Sequence, residues 1–259
     1  MKRMPLRILA ISVSALSFAC CFVKEYRESC PCRLVLDLSE VDTAVVRSAD
    51  LYVSVPGGYV SADVIEKECF GKEYATTVPR TELLLNLSSG GKGMVSEKGL
   101  DIPLGEECPP VYMHSSAIDG DCEIWHEKVR MRKNHCRVYI FLKGQESPGM
   151  SLTVKGEVCG YDAYGIPKPG DFLCCRKPDV SYACVISVPR QTDDSLVLEV
   201  DDGTGVCKMF TLGMYISSAG YDWTSPDLKD ISVTLDFAIS HIALKVHGWE
   251  EDHVFDVVI

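Results

Sequence analysis

Lys128-Val129-Arg130-Met131-Arg132-Lys133-Asn134-His135-Cys136-Arg137-Val138-Tyr139-Ile140-Phe141-Leu142 decides the fold. It opens with Val129 and Met131 apolar against Arg130 and Arg132 polar, the period of two that a half-buried strand requires. It becomes continuously apolar at Val138–Leu142. Strand-like stretches follow at Met150–Cys159, Phe172–Cys175, Tyr182–Val188, Leu196–Val200, Val206–Leu212, Ile231–Ala238, Ile242–Val246 and Val254–Ile259. Asp201-Asp202-Gly203-Thr204-Gly205 reads as a hairpin turn. Helical period is nearly absent, with Ser225–Asp230 the one stretch expected to make a single turn.

The first half carries the same pattern in shorter pieces. Arg33-Leu34-Val35-Leu36-Asp37-Leu38 alternates, and Leu51–Val55 follows and stops at Pro56-Gly57-Gly58. Tyr59–Ile65, Tyr74–Val78 and Thr81–Leu87 are further strands. From Ser88 to about Asp121 glycine, proline and aspartate crowd the chain, and Val111-Tyr112-Met113 is the one strand expected there. Short strands between turn clusters predict an all-β protein of sandwich type. The expected division is a first sandwich over residues 33–122 and a second over residues 123–259, tandem in the chain.

The beginning of the chain reads as an address. Lys2, Arg3 and Arg7 precede an uncharged, mostly apolar run from Ile8 to Val23. Sixteen such residues fall short of the roughly 20 that span a bilayer comfortably. A basic start, an apolar middle and a small residue before the cut make a secretory signal, expected to occupy residues 1–19. The cut falls at Ala19-Cys20, the order in which a bacterial lipoprotein signal ends, with Leu16 upstream and Phe18 where a smaller residue is commoner. Cys20 is therefore the expected lipid-bearing residue and Cys21 the alternative. An ordinary cleaved signal with chance cysteines is the plainer reading. One acyl chain binds marginally and two hold stably, so a multiply acylated cysteine would keep the protein on a membrane. Residues 20–32 then form a short lipidated tether.

Charge and cysteine content narrow the function classes. The whole chain carries −11; without the three basic residues of the signal, 23 basic face 37 acidic residues, a formal −14. That balance argues against nucleic acid and anionic lipid as electrostatic partners. Thirteen cysteines in an exported chain invite a disulfide framework. The spacings are poor for one: Cys30 and Cys32 flank a proline, and Cys174 and Cys175 are adjacent. Cys136, Cys159, Cys184 and Cys207 sit in apolar strand-like runs, where a free thiol acts as a small hydrophobe. Most are expected to be reduced core residues.

No catalytic motif emerges. There is no GxSxG, no HExxH, no phosphate loop and no CxxC pair. Ser89-Gly90-Gly91-Lys92-Gly93 lacks a following helix. Asp119-Gly120-Asp121 lacks the remaining ligands of a calcium loop. Of the six histidines, His114, His126, His135, His241, His247 and His253, the last three recur every six residues but straddle a turn, and these three are expected at the surface. Lys128, Arg130, Arg132, Lys133 and Arg137 read as the wet face of a strand. Tyr161, Tyr164, Tyr221, Trp223 and Trp249 are candidates to line a sugar site, or simply core and loop aromatics. No enzyme activity, cofactor or metal is expected.

Several stretches taken in order resemble the FimB-type fimbrial anchor and minor subunits of Bacteroidales, within the fimbrillin superfamily of type V pili. They are Cys30-Pro31-Cys32 leading into Arg33–Asp37; Asp101-Ile102-Pro103-Leu104-Gly105 with Pro109-Pro110-Val111-Tyr112-Met113; and Lys133–Val138. They continue with Gly156–Asp162, Val188-Pro189-Arg190-Gln191, Leu212–Ile216, Gly220-Tyr221-Asp222-Trp223 and Val246–Ile259. Lys24-Glu25 looks like the acidic surface-export signal of Bacteroidales lipoproteins. The resemblance runs from about Cys20 to the end. It implies two transthyretin-like β-sandwich domains, a lipidated N-terminus in the outer membrane, and a role in anchoring a fimbria and limiting its length.

It further implies subunits that join by strand exchange, the physics of β-augmentation. Stalk subunits of the family are thought to open the acceptor groove by losing their first strand. An anchor would keep its own, whatever the fate of the trypsin-like sites Arg33 and Arg80. His253–Ile259 reads as a closing strand or, more sharply, as an exchangeable one. The expectation is an outer-membrane lipoprotein, surface-exposed, whose partners are fimbrial stalk or accessory subunits. The alternative is a surface lipoprotein that binds polysaccharide through Tyr161 and Trp223.

Overall fold

The structure, a computed structural model, describes residues 30–55, 58–91, 94–144 and 149–257. Its strands are β1 (Cys32–Asp37), β2 (Ser48–Val55), β3 (Gly58–Glu66), β4 (Glu73–Val78), β5 (Glu82–Ser89), β6 (Val95–Ser96), β7 (Gly99–Asp101), β8 (Tyr112–Asp119), β9 (Ile124–Lys128) and β10 (Arg132–Lys133). They continue as β11 (His135–Lys143), β12 (Ser151–Asp162), β13 (Pro167–Arg176), β14 (Ala183–Pro189), β15 (Val197–Asp201), β16 (Cys207–Phe210), β17 (Ile231–Asp236), β18 (His241–Val246) and β19 (His253–Asp256). Among the described residues one α-helix, α1, spans Leu212–Ser218. The protein is all-β, of sandwich type.

The first sandwich pairs a three-stranded sheet, β4-β1-β9, with a sheet ordered β10-β8-β5-β2-β3. β1 lies in the middle of the small sheet, antiparallel to β4 and parallel to β9. The alternation of its sequence explains its inner face: Leu34, Leu36 and the following Leu38 share a core with Leu51 and Val53 of β2 and Leu85 and Leu87 of β5. On the opposite face Val35 is only 4% exposed, between the exposed Arg33 and the half-buried Asp37, so that face is covered at its centre. Full burial of a leucine contributes roughly 1.5–3 kcal/mol, which makes this six-residue strand a large share of the sandwich's cohesion.

The second sandwich sets the sheet β14-β11-β17-β18-β19 against β16-β15-β12-β7-β6, with β13 along the other side of β12. Val138, Ile140 and Leu142 of β11 point into its core, as do Ile231, Val233 and Leu235 of β17 and Leu152 and Val154 of β12. The run read as continuously apolar thus still alternates, for Phe141 is exposed. β12 is irregular between Gly156 and Gly160. Gly160 adopts φ +152°, and a Cβ there would sit 2.0 Å from the Leu100 carbonyl oxygen. Glycine is what lets β7 approach closely enough to pair.

Four expectations need correction. The stretch from Ser88 to Asp121 holds more strand than Val111–Met113 alone: the short hairpin β6–β7 and the eight-residue β8 lie among its loops. Strands of two and three residues are too brief to display alternation. The expected division at residues 122 and 123 does not follow the strand pairing. β9, at 124–128, pairs with β1 of the first sandwich, whereas β7 pairs with β12 of the second. Leu100, Ile102, Cys108 and Val111 accordingly bury in the second core, so the chain visits the second sandwich, returns through β8 and β9, and crosses again.

The helix lies at Leu212–Ser218 rather than at Ser225–Asp230, where Leu212, Gly213 and Ile216 present one buried face. Finally, Cys136 and Cys184 are core residues as expected, but Cys159 is half-buried and Cys207 exposed, because each falls on the outward phase of its strand.

Candidate functional site

Three places in this framework have the geometry for a role outside the fold itself: the entry of the chain into β1, the outer edge of β19, and a cleft where the two sandwiches meet. The expected lipid-bearing residues, Cys20 and Cys21, lie outside the described residues. Cys32, at the start of β1, is twelve positions after Cys20. Such a segment reaches at most about 40 Å when fully extended. Anything attached at Cys20 would therefore be held close to the first sandwich, and pulled through β1, whose inner face is wholly buried.

β19 contrasts with β1 in pairing and burial. Among the described residues it pairs on one side only, with β18, over four residue pairs from His241–Asp256 to Leu244–His253. Val254 and Asp256 face solvent. Phe255 packs its ring 5.2 Å from that of Tyr215 on α1, and His241 Nε2 lies 2.8 Å from Asp256 Oδ1. Among the described residues the outer edge of β19 pairs with no further strand, and such an edge is a row of backbone donors and acceptors of the kind that accepts one. Beneath β19, Ile242, Leu244 and Val246 of β18 are wholly buried.

The junction is tied by a polar knot that nothing in the spacing announces. Arg190, 6% exposed, donates to the carbonyls of Trp223, Ser225 at 2.7 Å and Lys133 at 2.9 Å, and to Asn134 Oδ1 at 3.3 Å. Its own backbone N–H donates to the Tyr161 hydroxyl at 2.7 Å, which donates in turn to the Asn134 carbonyl. Burial, with Arg132 nearby, pulls the Arg190 pKa down, and burial raises that of the Tyr161 phenol. His135 Nδ1 sits 3.2 Å from the Val111 carbonyl; burial brings its pKa down to about 4. The β12–β13 turn reaches across to the first sandwich, where Asn86 Nδ2 donates to the Ala163 carbonyl at 2.8 Å.

Beside this knot lies a cleft of about 500 Å³, lined by Arg132, Tyr164, Arg190, Gln191 and Trp223 among others. Tyr164 also borders a second cleft of about 540 Å³ on β5 and β8. The expected sugar-binding aromatics fare unequally here. Tyr161 is 1% exposed and serves the knot. Tyr221 and Trp223 are 8% exposed and pack edge to face at 4.8 Å. Only Tyr164, 60% exposed, offers an open face. Tyr161 is thereby corrected from ligand contact to core residue, and Trp223 contributes little beyond the wall of the cleft.

The remaining sequence candidates do not assemble into a reacting centre. Among the described residues no three His, Cys, Asp or Glu side chains converge as metal ligands. His135 is buried. His247 stacks on Tyr139 at 5.1 Å and contacts Ser232 Oγ at 2.9 Å on an exposed face. The basic run is dispersed into pairs, Lys128 and Arg130 to Glu40 and Lys133 to Asp230. Gly90 serves close packing, since a Cβ there would meet the Pro110 carbonyl oxygen at 2.0 Å.

Comparison with known proteins is informative at the level of structure alone. No protein-family model and no curated protein matches the sequence. Solved structures do match. The fimbrial anchor protein Mfa2 of Porphyromonas gingivalis superposes with a TM-score of 0.60 at 14% identity, over 85% of this chain and 98% of that one. A proposed polysaccharide-binding protein of Bacteroides thetaiotaomicron gives 0.61 at 13% identity, over 87% and 98%. A proposed adhesin of Bacteroides ovatus gives 0.58 at 13% identity, over 87% and 95%. The chain shares their fold. The likeness covers both sandwiches, as the shares of chain matched require. Among the described residues no helix is long and apolar enough to cross a membrane.

Proposed function

We propose that this protein is a fimbrial anchor or minor fimbrial subunit, a non-enzymatic lipoprotein of the outer membrane held through Cys20 and docking pilin by strand exchange. The observation that carries the reading is the placement of β1. A strand with its inner face wholly buried and paired on both sides begins only twelve residues after the candidate lipid site. A subunit built so keeps its own first strand in place and transmits load from a membrane tether into the middle of a sandwich. The whole-length likeness to the anchor protein Mfa2 supports the same role. At the far end of the chain β19 supplies a short strand with one free edge, the element suited to exchange with a neighbouring subunit.

Fractionation of cells carrying Cys20→Ala tests the anchoring: the variant is expected to leave the membrane fraction and to take the fimbriae with it. Retention on the membrane would sink the tether. Deletion of residues 253–259 tests the docking. Fimbrial attachment is expected to be lost while both sandwiches stay folded; unchanged attachment would leave β19 a mere closing strand.

A second reading is carried by Tyr164, whose open ring stands between two clefts at the junction, and by the polysaccharide-binding description of one structural neighbour. Glycan arrays with Tyr164→Ala separate it from the first: a glycan signal abolished by that change would favour surface polysaccharide as ligand.

A further inference from the structure

The first residue of β1 and the residue two before β9 are both cysteines, ninety positions apart in sequence. Their sulfur atoms lie 3.8 Å apart, in van der Waals contact. The backbones are already joined beside them, where the Arg33 N–H donates to the Glu123 carbonyl at 2.9 Å. Cys32 is fully buried and Cys122 half-buried. A disulfide needs its sulfurs at about 2 Å, so closure asks for rotation of two side chains by roughly an ångström each and no movement of strands. We propose that Cys32 and Cys122 oxidise to a disulfide that clasps the start of β1 to the start of β9. The pair escapes a reading of the sequence, because the proximity comes from a parallel strand pairing that only the fold creates.

The chemistry balances with a disulfide oxidant, such as oxidised glutathione or an exported thiol oxidoreductase. The more accessible Cys122 attacks it as thiolate and releases one thiol. Cys32 then gives up its proton, attacks the Cys122 sulfur of the mixed disulfide and releases the second thiol. Two electrons and two protons pass to the oxidant, and the new sulfur–sulfur bond stays in the protein. Burial, together with the neighbouring Cys122, raises the Cys32 pKa, which puts Cys32 in the second step.

For the anchoring role, on which this consequence alone rests, the clasp changes the path of force. A pull on residues 20–31 would otherwise load the hydrogen bonds of β1. With the clasp it passes through Cys32 directly to Cys122. A trypsin-like cut after Arg33 would also leave the tether covalently attached.

The test uses the full chain, reduced and then exposed to oxidised glutathione, with free thiols alkylated and peptides read by mass spectrometry. A Cys32–Cys122 linked peptide is expected. The melting temperature of the oxidised protein should fall by several degrees on adding reductant, and Cys122→Ser should abolish both the linked peptide and that response. Two alkylated thiols in a protein with native circular dichroism would overturn the proposal, as would a link from Cys30 instead of Cys32 or a stable glutathione adduct at Cys122. Protein taken from its own cells with thiols blocked before lysis should carry the same link, and a reduced pair there would overturn the clasp as a working device. Membrane retention, read separately with Cys20→Ala, is untouched by either result.

Discussion

β1 and β19 are strands of similar composition at opposite ends of the described chain, and they do opposite things. β1 buries Leu34, Val35 and Leu36 and is hydrogen-bonded along both edges. β19 exposes every second residue and bonds along one edge. The difference teaches where a subunit of this shape can yield. Extracting β1 would open the first core from its middle. Releasing β19 would uncover one face-ordered strand, β18, and leave the second core with most of its contacts. A strand that can be exchanged has to be cheap to release and specific to replace, and of these two strands β19 meets the first condition.

The largest effect that would sharpen this contrast is expected at Leu36. Leu36→Ala leaves a cavity in a fully enclosed site, and such truncations cost about 2–5 kcal/mol. The measurement is the urea midpoint of the folded protein at unchanged m-value. A loss below about 1 kcal/mol would mean that the first core collapses around the gap, and that β1 is less central to cohesion than its burial indicates.

The junction is a third kind of region, with a buried titratable ring, His135, at its centre. His135 folds with a pKa of about 4, below its usual 6.5, so the unfolded chain binds more protons between those values. Its contribution is therefore present in full above pH 6.5 and fades as pH falls toward 4. At about 1.4 kcal/mol per pKa unit, the loss amounts to at most about 3 kcal/mol. His135→Gln should flatten the stability difference between pH 7 and pH 4.5 relative to the native protein. Parallel pH profiles would show instead that the ring is hydrated in the folded state.

Much of this contrast is legible in the amino-acid sequence. The alternation of Arg33–Leu38 locates β1, and that of Ile231–Ala238 and Ile242–Val246 locates β17 and β18, because each strand carries its own period. What spacing does not convey is partnership. β9 has no apolar stripe of its own and becomes a strand by pairing with β1. β7 is three residues long and exists because Gly160 admits it. The Arg190 knot gathers Asn134, Tyr161 and Trp223 from three separate turns of chain. The helix at Leu212–Ser218 resembles the end of a strand in sequence because Phe210, Leu212 and Met214 also satisfy a period of two, and its length of seven residues gives a helical period little room to show.

The smallest expected effect bears on β19 itself. Phe255 is half-buried and leans on Tyr215, whereas Val254 is 59% exposed on the other face. Phe255→Ala removes part of a large apolar contact and should cost about 1–2 kcal/mol, below the 3–5 of a fully buried ring. Val254→Ala should change stability by less than about 0.5 kcal/mol. If β19 were only a closing strand, pilin binding would follow stability, and Val254→Ala would leave it unaltered. If β19 is handed to a neighbouring subunit, both faces of the strand meet new pockets, so Val254→Ala should weaken binding several-fold while the denaturation midpoint stays put. That separation of binding from stability, at a residue whose side chain contributes almost nothing to this fold, distinguishes an edge that merely ends a sheet from one that is shaped for a partner.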